Sequence, residues 1–433
     1  MRLRSASLLG SLAAAVGTFV VFCNVYTPDL TGGTPSPDAG TGVGWWSGPV
    51  GTCFSAGTPK ESDRPAAASA VAIPPIVIAL RSMRIGSLDA DNKFNFLAWQ
   101  DLGLDLDGVC TSSPTCPADA PIGSCKPTSA AAATDGNYCR DNTFGRLEVN
   151  AANIPEVGGK YGLNDDAFNC ALCTGAYNFL IKISGYNGTP NDNQVRLDFY
   201  PSPGLENPLP WDCKSPDWRN HPCFTPDLPW LVRDTALSTP MVGPDLPDAT
   251  LADPNAYIRD GYIVANLPKD ALFWFPFIKG RKTNIATPFP LRFAQGIVTG
   301  HLKKAPDGTW SVEDGTIAGR TRGTDVLQGF RLIGFCESDT NFPLMQTFLQ
   351  SNLDILASGQ NDPNTTCDSI SVGIAYSATQ AVPGKAIHVD DLVECPPVGD
   401  GGTDAAPDGA TDAGVLDAAP DAPVDAPVDA PPG

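Results

Sequence analysis

Apolar and polar positions alternate along two neighbouring runs. Tyr177, Phe179, Ile181 and Ile183 mark the first, and Val195, Leu197 and Phe199 the second. Between them lies GYNGTPNDN, a loop of turn-forming residues, so the pair predicts an antiparallel hairpin. Further strands are expected at GYIVANL (261–267), at ALFWFPFI (271–278) and along the run from Leu291 to Leu302. KKAPDGT then turns the chain toward Trp310 and Val312, with GTIAGR as another strand. The period changes after Gly323, where Val326, Leu327 and Phe330 have helical spacing behind Thr324 or Asp325 as cap. A second helix is expected from Asn341 as cap and Pro343 in the first turn. Its stripe runs through Leu344, Met345, Phe348, Leu349, Leu353 and Leu356 and stops at Gly359. Strands first and a helical segment at about 323–358 afterwards predict a mainly β fold. The expected form is an antiparallel β-sandwich, jelly-roll-like in strand order, with a short α-helical segment near the C-terminal end of the body.

Composition agrees with short strands and many turns: 43 Gly and 42 Pro in 433 residues, and only 18% charged residues. The net charge of −20 leaves nothing to neutralise phosphates, which excludes nucleic acid as a partner and disfavours anionic lipid headgroups as a docking surface.

The ends of the chain read differently from its body. Arg2 and Arg4 precede an apolar run from Leu8 to Phe22, closed by Cys23. The run is shorter than the roughly 20 apolar residues that span a bilayer, so residues 1–22 read as a signal peptide. A cysteine at the end of such a run resembles a bacterial lipoprotein signal, in which it is acylated. Phe22 stands where such signals carry a small residue. Residues 23–44 then form a lipidated tether and 45–395 the body, which Trp45 and Trp46 open as expected core residues. In residues 396–433 aspartates recur every four residues with one slip of five, among Ala and Pro and without Lys or Arg, so this tail is expected to be disordered and extended.

Cysteine counting supports export. There are 13; setting Cys23 aside leaves an even twelve: Cys53, Cys110, Cys116, Cys125, Cys139, Cys170, Cys173, Cys213, Cys223, Cys336, Cys367 and Cys395. In an exported chain these suit six disulfides. Proximity suggests Cys213 with Cys223 and a pairing within Cys110–Cys139. Cys336 and Cys367, flanking the second helix, are expected to clamp it. Cys170 and Cys173 (CALC) read as structural half-cystines rather than redox or zinc ligands.

Candidate chemistry is sparse. DLGLDLDGVC (101–110) holds three aspartates before a cysteine, and oxygen ligands on a tight turn are what calcium uses. The glutamate of an EF-hand falls at Pro114, so that motif is absent. The expectation is an Asp-Gly turn entering a disulfide loop, with Asp101, Asp105 and Asp107 as the calcium alternative. No other cofactor is called for. His221, His301 and His388 stand in no metal spacing, and no nucleophile elbow, zinc-protease motif or phosphate loop occurs. A carboxylate pair for glycoside hydrolysis has six glutamates to draw on: Glu148, Glu156, Glu206, Glu313, Glu337 and Glu394. In LPWDCKSPDWRNHPCFTPDLPW (209–230), Trp211, Trp218 and Trp230 sit among prolines and polar groups. They are the candidate ligand surface, with self-packing of the loop as the competing role.

Several stretches taken together, CNVYTPDL, GLDLDGVCTSSPTC, CRDNTFGR, ISGYNGTPNDNQVRLDFYPSPG, DGYIVANLP and RLIGFCESD, resemble uncharacterised cysteine-rich exported lipoproteins of myxobacteria. The resemblance covers roughly residues 23–395 and implies an envelope location; it carries no activity. The expected function is that of a non-enzymatic cell-envelope lipoprotein at the outer membrane or cell surface, with a periplasmic or secreted protein as the alternative location. It would be held to the membrane by its lipid and bind a glycan or an envelope protein. The alternative is a secreted polysaccharide-acting hydrolase with an unrecognised carboxylate pair.

Overall fold

The computed structural model describes residues 44–67, 71–116, 123–130, 132–152, 164–209, 219, 221–277, 287–332, 334–389 and 395. The expectations for 1–22, 23–43, Cys23, Cys213, Trp211, Trp218 and 396–433 lie outside them.

Eight strands form one closed sheet: β1 (Ile76–Arg84), β2 (Asn178–Ser184), β3 (Asp192–Ser202), β4 (Leu251–Arg259), β5 (Tyr262–Leu267), β6 (Gln295–Lys304), β7 (Trp310–Arg322) and β8 (Ser369–Gln380). Each pairs antiparallel with the next in sequence, and β8 pairs antiparallel with β1, which closes an up-and-down barrel. The β-sandwich expectation is therefore corrected. Alternation predicts strands with one apolar face, and that face serves a barrel interior as well as a sandwich. Register shifts at Thr299/His301, Val312/Gly315 and Ser377/Ala378 mark bulges, which bend strands so that a sheet curls shut.

The expected hairpin is β2–β3, with Ile181 opposite Phe199. Its alternating residues Phe179, Ile181, Ile183, Leu197 and Phe199 fill the interior beside Ile78, Ile258, Ile317 and Ile374. The intervening Leu180 and Tyr200 are also buried, under a second layer built on Trp230 and Val232. GYIVANL is β5. ALFWFPFI is a strand, Ala271–Phe277, but it pairs outside the barrel with Thr287–Phe293. The long run from Leu291 to Leu302 is accordingly split, its first part in that ribbon and the rest in β6. Phe273 of the ribbon stacks on Phe179 at 4.4 Å and meets Phe293 edge-on at 5.6 Å, packing against the barrel end where β2 begins.

Among the described residues four α-helices pack around the barrel: α1 (Thr143–Ala152), α2 (Asp165–Thr174), α3 (Gly323–Leu332) and α4 (Phe342–Gln350). The first two were not foreseen, although α2 carries local signals. Asn164 Oδ1 caps Ala167 N–H, two aspartates occupy the first turn, and Gly175 ends the helix at φ +74°. The expected second helix is shorter than its stripe. Asn352 Nδ2 and Ser351 Oγ both donate to Phe348 O and terminate α4, while Asn341 makes no side-chain cap. Leu353 and Leu356 instead pack beside Cys125 and Cys367.

Five bridges are present among the described residues: Cys53–Cys116, Cys110–Cys139, Cys125–Cys367, Cys173–Cys223 and Cys336–Cys395. Cys170 is also disulfide-bonded. The pairing within Cys110–Cys139 stands. The Cys213–Cys223 and Cys336–Cys367 expectations are corrected, because Cys223 joins α2, Cys367 joins Cys125 and Cys336 joins Cys395. Cys367 lies just after the strand Asp362–Thr366, which runs parallel to Cys125–Lys126, so sheet pairing overrides nearness in sequence. The Cys125–Cys367 bridge closes a separation of 242 residues. Replacing both cysteines by alanine is expected to cost about 2–4 kcal/mol in denaturant unfolding, and a non-reducing peptide map is expected to show the 125–367 and 336–395 pairs.

Candidate functional site

The Asp-rich segment lies on the barrel wall. Gly103 has φ +94°, and a Cβ on Gly373 of β8 would come within 2.5 Å of Gly103 Cα, so the two backbones touch directly. Beyond this contact Asp105 Oδ1 accepts from Gly108 N–H at 2.7 Å and Asp107 Oδ1 from Val109 N–H at 2.8 Å, the turn the sequence suggested. Ser55 Oγ donates to Asp105 Oδ2. Asp141 Oδ2 accepts from Leu106 N–H at 2.6 Å and Asp107 N–H at 3.3 Å.

Asp105, Asp107 and Asp141 each place a carboxylate oxygen within 4.8 Å of the others. Asp101 does not join them; it is exposed and accepts from Asn137 Nδ2 at 2.8 Å. Asp141 was not foreseen as a member, although it lies in the CRDNTFGR stretch. Burial pushes the Asp105 carboxyl up to about 7 and raises Asp107, Asp135 and Asp141, with repulsion from neighbouring aspartates adding to Asp105, Asp135 and Asp141. Asp354 is pushed up to about 6 by burial. Two buried arginines lie close by but donate to carbonyl oxygens: Arg320 to Leu106 O and Leu356 O, and Arg140 to Gly103 O. The carboxyls are the right type for a hard cation, but a cluster of acids alone assigns no ion, and none is assigned.

A second buried acid pair joins α1 and α2 to the end of β1. Asp165 accepts from the backbone N–H groups of Ile85, Gly86, Ser87 and Leu88 at 2.6–3.2 Å. Glu148 Oε1 accepts from Ser87 Oγ at 2.8 Å and Asp165 N–H at 3.2 Å. Burial, reinforced by Asp165, pushes Glu148 up to about 9. A neutral Glu148 beside an Asp165 held by four donors is a structural lock.

Trp230 is not a ligand surface: it is fully buried, edge-on to Phe224 at 4.9 Å in the second core. Phe224, Leu228 and Trp230 of this segment pack against Ala79, Leu180 and Tyr200 on the outside of β1–β3, so Trp230 takes the packing role weighed above. Trp211 and Trp218 lie outside the described residues. Both cysteines of CALC are half-cystines on α2. His301 stacks on Tyr262 at 4.6 Å, and the exposed His388 has Nδ1 3.2 Å from Asp234 Oδ2.

A groove of about 670 Å³ runs beside the β6–β7 hairpin. Half-buried Trp310 forms part of its wall, with Lys304, Gln380 and Asp245 around it and Pro244 and Pro383 among its rigid lining. The sequence reading placed Trp310 on a strand and did not single it out as a binding residue.

No family model, curated protein or solved structure matches the chain. The fold itself defines a class, an eight-stranded antiparallel barrel that is rich in disulfides.

Two measurements test this reading of the site. Asp105 holds its proton in the folded state up to about 7, against about 3.9 unfolded. Its contribution to stability is therefore complete below about pH 4 and lost as pH rises through 7. Asp105→Asn is expected to flatten that part of the pH–stability curve in chelator-containing buffer. Trp230→Ala is expected to cost about 3–5 kcal/mol in urea unfolding, the loss for truncating a large buried aromatic.

Proposed function

We propose that this chain is a non-enzymatic cell-envelope lipoprotein. In this reading it is exported, anchored through Cys23 at the outer membrane or cell surface, and has a binding or structural role toward a glycan or an envelope protein. The supporting observation is the oxidised sulfur. Five bridges tie peripheral segments together, and Cys23 stands as the odd thirteenth cysteine behind an apolar leader. The resemblance to myxobacterial exported lipoproteins points the same way.

Among the described residues the inward-facing side chains pack into one core, which supports ligand uptake on the outside. The described glutamates also support a non-enzymatic role. Glu148 is buried on α1 against Ser87 and Asp165, Glu206 Oε1 accepts from Lys385 N–H at 2.9 Å, and Glu313 and Glu337 are paired with Lys303 and Arg331. Glu156 and Glu394 lie outside the described residues.

Acylation is the test. Expressed with its own leader in a bacterial host, the chain is expected to incorporate a labelled fatty acid and sediment with membranes. Cys23→Ser is expected to lose both properties. A wild-type chain that carries no acyl group and stays in the soluble fraction overturns the anchor.

A further inference from the structure

We infer that the groove beside Trp310 is a binding site for a neutral saccharide chain, a proposal that rests on the envelope-binding role above. Its volume of about 670 Å³ lies within the roughly 300–1,000 Å³ usual for ligand sites. Three chemical features converge there. The first is a flat apolar wall. The half-buried Trp310 indole meets Tyr186 edge-on at 5.8 Å, and prolines continue the lining with little conformational freedom to lose.

The second is a set of polar groups with hydrogen-bonding capacity to spare. Gln380 spends its Oε1 on Trp310 N–H at 3.0 Å, which leaves Nε2 free among the described residues. Asp245 is exposed and has no ion-pair partner there. Lys304 is also exposed; its ammonium lies 5.3 Å from the Trp310 ring centre and forms no ion pair there.

The third is charge balance. Lys182, also on the groove, is already neutralised by Asp248 at 3.0 Å and Asp198 at 3.7 Å. Lys304 and Asp245 then offset one another. A groove with one free cation, one free anion and an amide suits ligand groups that both donate and accept hydrogen bonds. Hydroxyls do both, and the C–H face of a sugar ring suits the indole. A polyanion would meet Asp245, and a polycation would meet Lys304.

The groups are held by rigid elements. Lys304 ends β6, Trp310 begins β7 and Gln380 ends β8. Between Lys304 and Trp310 the turn is closed by Ala305 N–H to Thr309 O and Gly308 N–H to Ala305 O, at 2.8 and 2.9 Å. Such preorganisation lowers the ordering cost of binding.

The full chain is to be screened on an array carrying neutral and acidic saccharides, and any hit measured by calorimetry. The expected result is binding to a neutral saccharide, about tenfold weaker in Trp310→Ala and severalfold weaker in Gln380→Ala and Asp245→Asn, with the melting temperature of Asp245→Asn unchanged. If Trp310→Ala fails to fold, the exposed Asp245 and the half-buried Gln380 decide the matter through Asp245→Asn and Gln380→Ala. Neutral-saccharide binding that survives all three substitutions overturns the site and leaves the binding role standing. Binding confined to acidic saccharides overturns the ligand class. No saccharide binding at all overturns the proposal, while acylation of Cys23 judges the envelope anchor separately.

Discussion

Closure of the sheet by β8 against β1 is the interaction on which the rest depends. These strands come from opposite ends of the body, and their pairing from Ala375 opposite Arg84 to Gln380 opposite Ile78 leaves the barrel with no free edge. The Ser82 and Ser377 hydroxyls hydrogen-bond across the seam at 2.6 Å. Closure also makes the interior: Ile76, Ile78, Leu80 and Ile374 are buried because the ring is complete. The Cys125–Cys367 bridge reinforces it covalently, since Cys367 lies two residues before β8. The loop entropy of so long a connection must be lost before closure yields any contact, and a crosslink removes much of that loss from the unfolded chain.

A closed barrel still has to hold its surroundings, and here buried polar groups act where apolar contact alone lacks direction. Asp165 gathers four N–H groups that β1 leaves unpaired at its end. Asn169 holds Met83 through both its amide atoms, and Asn178 does the same for Leu80. Asn142 Oδ1 accepts from Gly145 N–H in α1 and Gly373 N–H in β8, tying that helix to the sheet. Each of these side chains satisfies backbone that would otherwise be buried unpaired, which costs more than a typical hydrogen bond yields. They fix where the helices sit. The weakened acidity of Asp105, Asp141 and Glu148 follows from the same burial.

With the interior full and the perturbed acids committed to backbone and hydroxyl partners, the chemistry left open to solvent is on the outer wall. The β6–β7 hairpin and the end of β8 project an indole, an amide and two opposite charges into one groove. A rigid exterior site on a crosslinked scaffold loses little conformational freedom on binding.

Period-two alternation is a local property, so Phe179, Ile181 and Ile183, and the hairpin they belong to, were legible without the fold. So was the Asp-Gly turn at 107–108, set by neighbouring residues. The same alternation is compatible with a sandwich and with a barrel, because a strand does not carry the identity of its partner. Only closure chose between them. Likewise nothing beside Cys367 in sequence names Cys125, and nothing beside Trp230 says that it will be buried; both depend on segments brought together from far along the chain. Asp141 and Trp310 acquired their candidate roles in the same way, from neighbours that are distant in sequence and adjacent only after the ring has closed.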